Sequence, residues 1–235
     1  MTGPTYLRPP LGGVGIGDFS LHDFAAKWMM QQDDIAEIGV FAAANAALAP
    51  ATGERIVMFG DSITAFWDFA PCDDARRHFV NRGIPGQNSS QMLLRFVDDA
   101  IALQPQTVVI LCGANDLRSY VGDPASVGAS ALTRIRRNLR AMCDIAAANG
   151  VRVVLCTLPP VGADRDAVNR DASAIVAVNR WIADFATGRG YRLADYHAAL
   201  IDGAGHLAPA DGEDGVHPSV SGYAKMWPAL QGALS

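Results

Sequence analysis

The sequence predicts one α/β domain in which helices cover both faces of a five-stranded parallel sheet. Two observations indicate this fold class. Five short runs of β-branched and apolar residues recur along the chain, and segments with helical spacing of apolar residues lie between them. Strands joined by helical crossovers are parallel, and near-continuous apolar runs are typical of strands buried on both faces. We therefore predict a three-layer α/β/α, doubly wound domain of the flavodoxin-like kind, whose ligands bind outside the carboxyl ends of the strands.

The order of the elements follows from these patterns. Strands are expected at 55–59, 78–81, 107–112, 151–157 and 191–195. Helices are expected at 23–48, 92–100, 132–146 and 220–230. Ser89 or Ser90 can cap the second of these helices, and Pro124 suits the first turn of the third.

The chain divides into an extension and a main domain. Residues 1–53 are expected to form an N-terminal arm and a helical extension, because 1–21 are rich in Gly and Pro and the helical pattern then runs almost to Pro50. The α/β domain covers 54–235, which contains all five strand patterns. A length of 235 residues is ample for one large hydrophobic core.

Composition and charge exclude several classes of function. Lys and Arg number 19 against 24 Asp and Glu, a net charge of −5 without a basic cluster, so nucleic acid is not expected as a partner. No apolar run approaches the roughly 20 residues of a spanning helix, so no stable membrane association is expected. The N-terminus lacks a signal-peptide pattern, which predicts a cytoplasmic protein. The four cysteines lack metal-binding spacing and are expected to be buried free thiols.

Two segments carry residues suited to nucleophilic catalysis. Ser62 follows the first strand directly, at the expected start of a helix. Asp214 lies three residues before His217, so a carboxylate can orient an imidazole within one loop. A neutral His can take the proton of a Ser hydroxyl while the carboxylate stabilises the imidazolium that forms. Taken alone, such a Ser is more often a helix cap, and such an Asp-x-x-His segment is more often a surface loop.

Two other strand ends carry polar and flexible residues. The second strand runs into 81–87 (NRGIPGQ), and the third is followed by 113–116 (GAND). Backbone N–H groups near glycine and an Asn amide can together stabilise a negatively charged oxygen. Each segment taken alone is more typical of a turn. Asp116 is expected to be an orienting or capping carboxylate.

Taken together, these segments resemble the GDSL-type esterases of the SGNH-hydrolase superfamily. Four blocks occur in the order of that family, and the resemblance covers about 54–235: 60–63 (GDSI), 81–87 (NRGIPGQ), 113–116 (GAND) and 214–218 (DGVHP). The resemblance implies that Ser62 is the nucleophile, that His217 is the base and that Asp214 is its partner.

The resemblance also implies an oxyanion hole. Its donors would be the N–H groups of Ser62 and Gly86 and the side-chain amide of Asn115, with Gly83 as the alternative to Gly86. Gln87 and Asn88 depart from the family pattern, because many members have Asp and Thr at these places, and this departure is expected to alter the substrate edge.

The activity that the resemblance implies is that of a serine ester hydrolase that works through an acyl-enzyme and needs no cofactor or metal ion. The expected partner is a small acyl-ester substrate, and short acyl chains are favoured because no long hydrophobic lid segment is evident. The alternatives are deacetylation of sugar acetates, acyl transfer at the same site, and ligand binding without turnover. Nucleotide binding is disfavoured because no glycine-rich phosphate motif follows the first strand.

Substrate-binding residues are the least specified part of the site. Trp67 and Asp61 are the candidates, although aromatic residues at the spacing of Trp67 are more often part of the core. Association into a homo-oligomer stays open.

Overall fold

A parallel sheet of five strands lies at the centre of the computed structural model, which describes residues 34–74, 76–118, 124–163 and 170–235. The strands are β1 (Glu54–Gly60), β2 (Arg77–Gly83), β3 (Thr107–Ile110), β4 (Arg152–Cys156) and β5 (Arg192–Ala194). Their spatial order is β2-β1-β3-β4-β5, and every neighbouring pair is parallel. This is the order of flavodoxin-like doubly wound domains. The predicted fold class is confirmed.

The central strands are mainly apolar because both of their faces are covered. Ile56, Val57 and Phe59 of β1 have no exposed surface, and all four residues of β3 are buried. Successive side chains of a strand point to opposite faces, so burial of consecutive residues requires packing on both sides of the sheet. The near-continuous apolar runs of the sequence follow from this arrangement.

Helices alternate with the strands. They are α1 (Gly39–Ala46), α2 (Ser62–Ala65), α3 (Ser89–Asp99), α4 (Pro124–Ala148), α5 (Ala172–Arg189), α6 (Tyr196–Leu200) and α7 (Val220–Ala233). Ile135, Leu139 and Met142 of α4 follow one another at spacings of four and three residues and are buried in the core. This spacing places them on one face of the helix, as the sequence pattern predicts.

The cap of α3 is Asn88 rather than Ser89 or Ser90. The Asn88 side chain accepts hydrogen bonds from the backbone N–H groups of Ser90 and Gln91, and the Gln91 side chain accepts one from the Asn88 N–H. This reciprocal capping box satisfies N–H groups that the first turn of a helix leaves unpaired. The Ser89 hydroxyl instead donates to Asp116 at 2.6 Å. The predicted cap was therefore one residue too late.

The expected helix at 23–48 is shorter within the described part of the chain, where only α1 is helical before β1. Turns occupy the residues just before α1, and Glu37 has a φ of 55°. This left-handed conformation is incompatible with a continuous right-handed helix, so the predicted helix is interrupted there. The arm predicted at 1–21 and the start of that helix lie outside the described residues.

Three of the four cysteines are buried free thiols, as predicted: Cys112, Cys143 and Cys156. Cys72 is only half-buried. Burial raises the pKa of the Cys156 thiol to about 12, which keeps it protonated and unreactive at neutral pH. Among the described helices, none is long and apolar enough to span a membrane.

The sheet brings the ends of three strands to one edge. Gly60 at the end of β1 pairs with Gly83 at the end of β2, and Phe59 pairs with Ile110 of β3. Because these neighbouring strands are parallel, the segments that follow them leave the sheet side by side. Ser62, Gly86 and Asn115 lie in these segments, whereas Asp214 and His217 lie in the loop before α7.

Candidate active site

Ser62 lies at the first position of α2, immediately beyond β1, and is 7% exposed. Asp61 caps this short helix, since its Oδ1 accepts a hydrogen bond from the Ile63 N–H at 3.0 Å. The turn is tight: a Cβ on Gly60 would lie 2.1 Å from the Thr64 hydroxyl oxygen. Glycine is therefore required at the end of β1 for the chain to present Ser62 at the edge of the sheet.

The hydroxyl of Ser62 meets the imidazole of His217, 155 residues further along the chain. Ser62 Oγ lies 2.8 Å from His217 Nε2. On the other side of the ring, His217 Nδ1 lies 2.7 Å from Asp214 Oδ2. An acidic partner at Nδ1 keeps the proton there, so Nε2 is left as an acceptor for the Ser62 hydroxyl proton. The structure thus brings the three predicted catalytic residues into one hydrogen-bonded chain.

Asp214 also holds the backbone of its own loop. Its Oδ1 accepts hydrogen bonds from the N–H groups of Val216 at 3.0 Å and His217 at 2.9 Å. Partial burial works to raise the pKa of Asp214, but the hydrogen bond and charge of His217 and these two N–H groups hold that pKa well below its usual value. The carboxylate is therefore ionised throughout the neutral range, as a partner of His217 must be.

The loop around His217 is fixed by contacts from outside it. The Gly162 N–H, in the segment after β4, donates to the Gly215 carbonyl at 2.8 Å. The Phe66 ring lies 5.3 Å from the His217 ring, centroid to centroid, and Phe66 is itself buried. The imidazole is therefore backed by a hydrophobic side chain while its two nitrogens face Ser62 and Asp214.

Asn115, after β3, is the third polar group of the site, and Arg170 orients it. Arg170 Nη2 donates to Asn115 Oδ1 at 2.9 Å, and Arg170 Nε donates to the Ala114 carbonyl at 2.8 Å. A guanidinium has only donors, so it binds the oxygen end of the amide and turns the NH₂ end the other way. That end donates to the Gln87 carbonyl at 3.0 Å and lies 3.5 Å from Asp61 Oδ2.

Arg170 was not found from the sequence. It lies 55 residues from Asn115, in no recognisable motif, and its only local feature is the helix-capping Asp171 that follows it. Its 6% exposure and its place against Asn115 appear only in the folded chain.

Two backbone N–H groups are further candidate donors of the site. The N–H groups of Ser62 and Gly86 donate to no residue in the described parts of the chain. Gly86 has a φ of 82°, a conformation that favours glycine. By contrast, the Gly83 N–H donates to Asn81 Oδ1 at 2.9 Å. Gly86 is therefore better placed than Gly83 to supply a donor to a ligand.

Comparison with known proteins gives the family of the chain. The model of the GDSL-like lipase/acylhydrolase family matches residues 58–225. The chain belongs to this family. No functionally curated protein matches the sequence significantly. As a GDSL-like acylhydrolase, the protein is an ester-hydrolysing serine hydrolase.

Solved structures similar to this GDSL family member share its fold. A protein of Bacteroides fragilis assigned as an acylhydrolase is 29% identical, with a TM-score of 0.72 over 86% of this chain and 97% of the other. A GDSL-like lipase of Bacteroides thetaiotaomicron is 28% identical, with a TM-score of 0.71 over 86% and 98%. An acetylxylan esterase of Geobacillus stearothermophilus is 22% identical, with a TM-score of 0.62 over 80% and 97%.

The two residues proposed for substrate binding in this GDSL hydrolase are both buried. Trp67 is 1% exposed and packs in the core against the rings of Phe69, Tyr196 and Tyr223. Its assignment to a substrate pocket is contradicted by this burial, and the core alternative holds. Asp61 is also 1% exposed. Its carboxylate caps α2 and lies beside the Asn115 amide, so it contacts residues of the site from the protein interior.

Burial has an electrostatic consequence at Asp61. Desolvation raises the pKa of this carboxyl to about 6, against the lowering effects of the Ile63 N–H, His217 and Arg170. The group directly precedes the proposed nucleophile, and strongly shifted pKa values of buried carboxyls are frequent at functional sites. Protonation of Asp61 removes a negative charge beside the amide of Asn115.

Asp116 connects the Asn115 segment to two helices. Its carboxylate accepts hydrogen bonds from the N–H and hydroxyl of Ser89 at 2.7 and 2.6 Å and from Arg134 Nε at 2.9 Å. Asp116 is 2% exposed. The carboxylate therefore fixes the backbone next to Asn115 and has the orienting position that the sequence predicts.

Proposed function

We propose that the protein hydrolyses short-chain acyl esters through a covalent intermediate on Ser62. The observation that carries this proposal is the 2.8 Å contact between Ser62 Oγ and His217 Nε2. A Ser hydroxyl is a weak nucleophile by itself, and a hydrogen bond to a neutral, correctly oriented imidazole activates it. Asp214 supplies the orientation through its 2.7 Å contact with Nδ1.

Acylation then follows from the positions of these atoms. Ser62 Oγ attacks the ester carbonyl carbon while its proton passes to Nε2 of His217. Asp214 stabilises the resulting imidazolium without itself becoming protonated. When the tetrahedral intermediate collapses, the C–O bond to the alcohol breaks and His217 donates its proton to the leaving oxygen. The products of this half-reaction are the free alcohol and an ester of Ser62.

Deacylation repeats the same steps with water. His217 Nε2 takes a proton from a water molecule, whose oxygen attacks the acyl-enzyme carbonyl. Collapse of the second intermediate returns the proton to Ser62 Oγ and releases the carboxylic acid. If an alcohol takes the place of this water, the product is a new ester, so acyl transfer is the alternative outcome at the same site.

The negative oxygen of both intermediates needs hydrogen-bond donors. We assign this role to the N–H groups of Ser62 and Gly86 and to the amide of Asn115. The two N–H groups have no acceptor among the described residues, and Arg170 turns the NH₂ end of the Asn115 amide away from itself. Removal of one such donor typically lowers the rate about 100- to 1000-fold.

The packing behind the nucleophile supports a short acyl group. Ile63, Phe66 and Trp67, which follow Ser62, are each at most 5% exposed and belong to the core. The hydroxyl of Tyr223 donates to the Ile63 carbonyl at 2.8 Å and closes the space behind α2. A long acyl chain therefore finds close-packed side chains there, while an acetyl or similarly short group needs no internal tunnel.

Hydrolysis of p-nitrophenyl esters from acetate to palmitate tests the proposal. We expect turnover of the short esters by the wild type and none by Ser62→Ala. Ser130→Ala, an exposed position on α4, is the matched control and should keep full activity. Full activity of Ser62→Ala would contradict the nucleophile, and preference for palmitate would contradict the short-chain substrate. Adding glycerol or a sugar and analysing the products separates hydrolysis from acyl transfer.

A further inference from the structure

The side chain of Gln87 connects the loop after β2 to two other parts of the molecule. It is 1% exposed, and its Oε1 accepts a hydrogen bond from Arg95 Nε at 2.6 Å. Its Nε2 donates to the Ala36 carbonyl at 2.8 Å and to Glu37 Oε2 at 3.0 Å. A buried amide with partners at both ends has one fixed orientation. Because Gln87 follows Gly86 directly, this orientation also restrains the backbone that carries the Gly86 N–H.

Arg95 extends this restraint to the segment that carries the nucleophile. Its guanidinium is fully buried and donates from Nη2 to the Gly60 carbonyl at 3.0 Å. It also pairs with Asp99 at 3.2 Å and lies over the Phe59 ring, 4.2 Å from the ring centroid. The Arg95 guanidinium thus binds two segments at once. One is the loop that contains Gly86, and the other is the end of β1, two residues before Ser62.

The segment before α1 supplies both acceptors of the Gln87 NH₂ group. Glu37 is 7% exposed and has a φ of 55°, which non-glycine residues rarely adopt. Such a conformation persists only where its surroundings hold it, and it is found preferentially at sites with a function. Here it directs the Ala36 carbonyl and the Glu37 carboxylate to the same NH₂ group of Gln87.

The backbone carbonyl of Gln87 also positions a second donor, the side-chain amide of Asn115. This carbonyl accepts the hydrogen bond from Asn115 Nδ2 at 3.0 Å. Displacement of Gln87 therefore moves both the N–H of Gly86 and the acceptor that positions the Asn115 amide. Two of the three donors that we assign to the oxyanion hole depend on this residue.

We propose that Glu37 and Gln87 are positioning residues for the oxyanion hole, so that the N-terminal extension serves catalysis and not only packing. This inference rests on the proposed function. Neither residue touches the substrate. They act by keeping Gly86 and Asn115 in the geometry that the tetrahedral intermediate requires, and small displacements of such groups lower rates strongly.

Gln87→Glu is the most direct test because it keeps the shape of the side chain. The new carboxylate still accepts from Arg95, but it has no donor for Ala36 and it repels the carboxylate of Glu37. We expect kcat for p-nitrophenyl acetate to fall about 10- to 100-fold with KM nearly unchanged. The double variant Gln87→Glu with Glu37→Gln returns a donor to this pair and should recover kcat by at least about threefold.

Phe41→Leu is the matched control. Phe41 packs α1 against the Arg82 guanidinium, whose carbon lies 4.7 Å from the ring centroid, and an apolar ring takes no part in the hydrogen bonds of Gln87. We expect a lower Tm and an unchanged kcat. Glu37→Ala removes one of the two acceptors of Gln87 Nε2 and leaves the Ala36 carbonyl in place. We expect it to lower kcat by a smaller factor than Gln87→Glu, and it serves as the test if Gln87→Glu does not fold.

Hydrogen exchange of the amides at 84–88 gives a readout that does not depend on turnover. We expect faster exchange in Gln87→Glu, recovery in the double variant, and wild-type exchange in Phe41→Leu. Unchanged kcat and unchanged exchange in Gln87→Glu would overturn the inference, even if Ser62→Ala is inactive as proposed. If the wild type hydrolyses no ester, the proposed function fails, and wild-type exchange at 84–88 in Gln87→Glu would then also overturn the positioning role.

Discussion

Arg170 donates to Asn115 Oδ1 at 2.9 Å, and this contact decides which end of the Asn115 amide is available as a donor. An amide side chain has two orientations that differ by a half-turn. With the oxygen end held by a guanidinium, the NH₂ end is fixed toward Gln87 and Asp61. The same guanidinium binds the Ala114 carbonyl, so the side chain and the backbone of this segment are held together.

Arg170→Ala should therefore impair catalysis more than substrate binding. Without Arg170 the amide can rotate, and the oxyanion loses a donor for part of the time. We expect kcat for p-nitrophenyl acetate to fall about 10- to 100-fold, with KM changed by less than about threefold. Arg170→Lys keeps one charged donor but cannot bind Asn115 Oδ1 and the Ala114 carbonyl from two separate nitrogens. We expect its kcat to lie between those of the wild type and Arg170→Ala. The exposed Arg137→Ala is the control, and an equal loss of kcat in both variants would contradict the positioning role.

Arg170 and Glu37 show why part of the site could not be predicted from the sequence. The triad and the donors sit in short segments next to strand ends, so local patterns and a family resemblance are enough to find them. Arg170 and Glu37 act through contacts with residues 55 and 50 positions away, and such contacts leave no local pattern. The sheet was predictable because burial on both faces demands continuous apolar runs.

The wrong predictions also have physical reasons. Trp67 follows the nucleophile in the sequence, but a short helix turns its indole into the aromatic core instead of the site. Ser89 and Asn88 are both good helix caps, and the choice between them depends on Asp116, which takes the Ser89 hydroxyl. In both cases the position of the side chain depends on residues that are close in space but distant in the sequence.

Asp214→Asn tests the orientation of the His217 ring. An amide at this place can offer NH₂ to Nδ1, which favours the tautomer with its proton on Nε2 and removes the acceptor for the Ser62 proton. In the triad of serine proteases the same change lowers kcat about 10⁴-fold, and we expect a loss of about 10³- to 10⁴-fold here. The neighbouring Glu213→Gln changes the same charge at an exposed position and should leave kcat unchanged. Activity of Asp214→Asn near the wild-type level would argue against the assigned partner.

The raised pKa of Asp61 makes the free energy of unfolding depend on pH. Its pKa is about 6 in the folded protein against an ordinary value of 3.8, because burial penalises the charged form. Between these values the folded state binds the proton more tightly than the unfolded state does, so this contribution to stability is complete below pH 3.8 and is lost as the pH rises through 6.

Asp61→Asn mimics the protonated carboxyl and should abolish this dependence. The difference between a pKa of about 6 in the folded protein and 3.8 in the unfolded chain corresponds to about 3 kcal/mol. We expect the variant to gain this much unfolding free energy relative to the wild type between pH 4 and pH 8. Urea unfolding of both proteins at a series of pH values measures it. Parallel curves for the two proteins across this range would show that Asp61 titrates as it does in the unfolded chain.

Gly83→Ala should damage both stability and activity, because Gly83 lies against the backbone of α2. A Cβ at this position would lie 2.2 Å from the Ala65 nitrogen and 2.8 Å from the Asp61 carbonyl oxygen. These are backbone atoms that cannot rotate away, so α2 must shift, and Ser62 moves with it relative to His217. We expect a loss of about 1 to 3 kcal/mol of unfolding free energy and at least about a 100-fold fall in kcat.

Gly232→Ala is the matched control, and we expect it to raise the free energy of unfolding rather than lower it. Gly232 lies in α7 with no atom within 4 Å of the added Cβ, so the methyl group meets open space. Alanine loses less backbone freedom on folding than glycine and should stabilise the helix by about 0.5 to 1 kcal/mol. Urea unfolding and p-nitrophenyl acetate hydrolysis of the two variants separate a general effect of Gly→Ala from the local one. If Gly83→Ala kept wild-type kcat, close packing of β2 against α2 would not be what holds Ser62 in place.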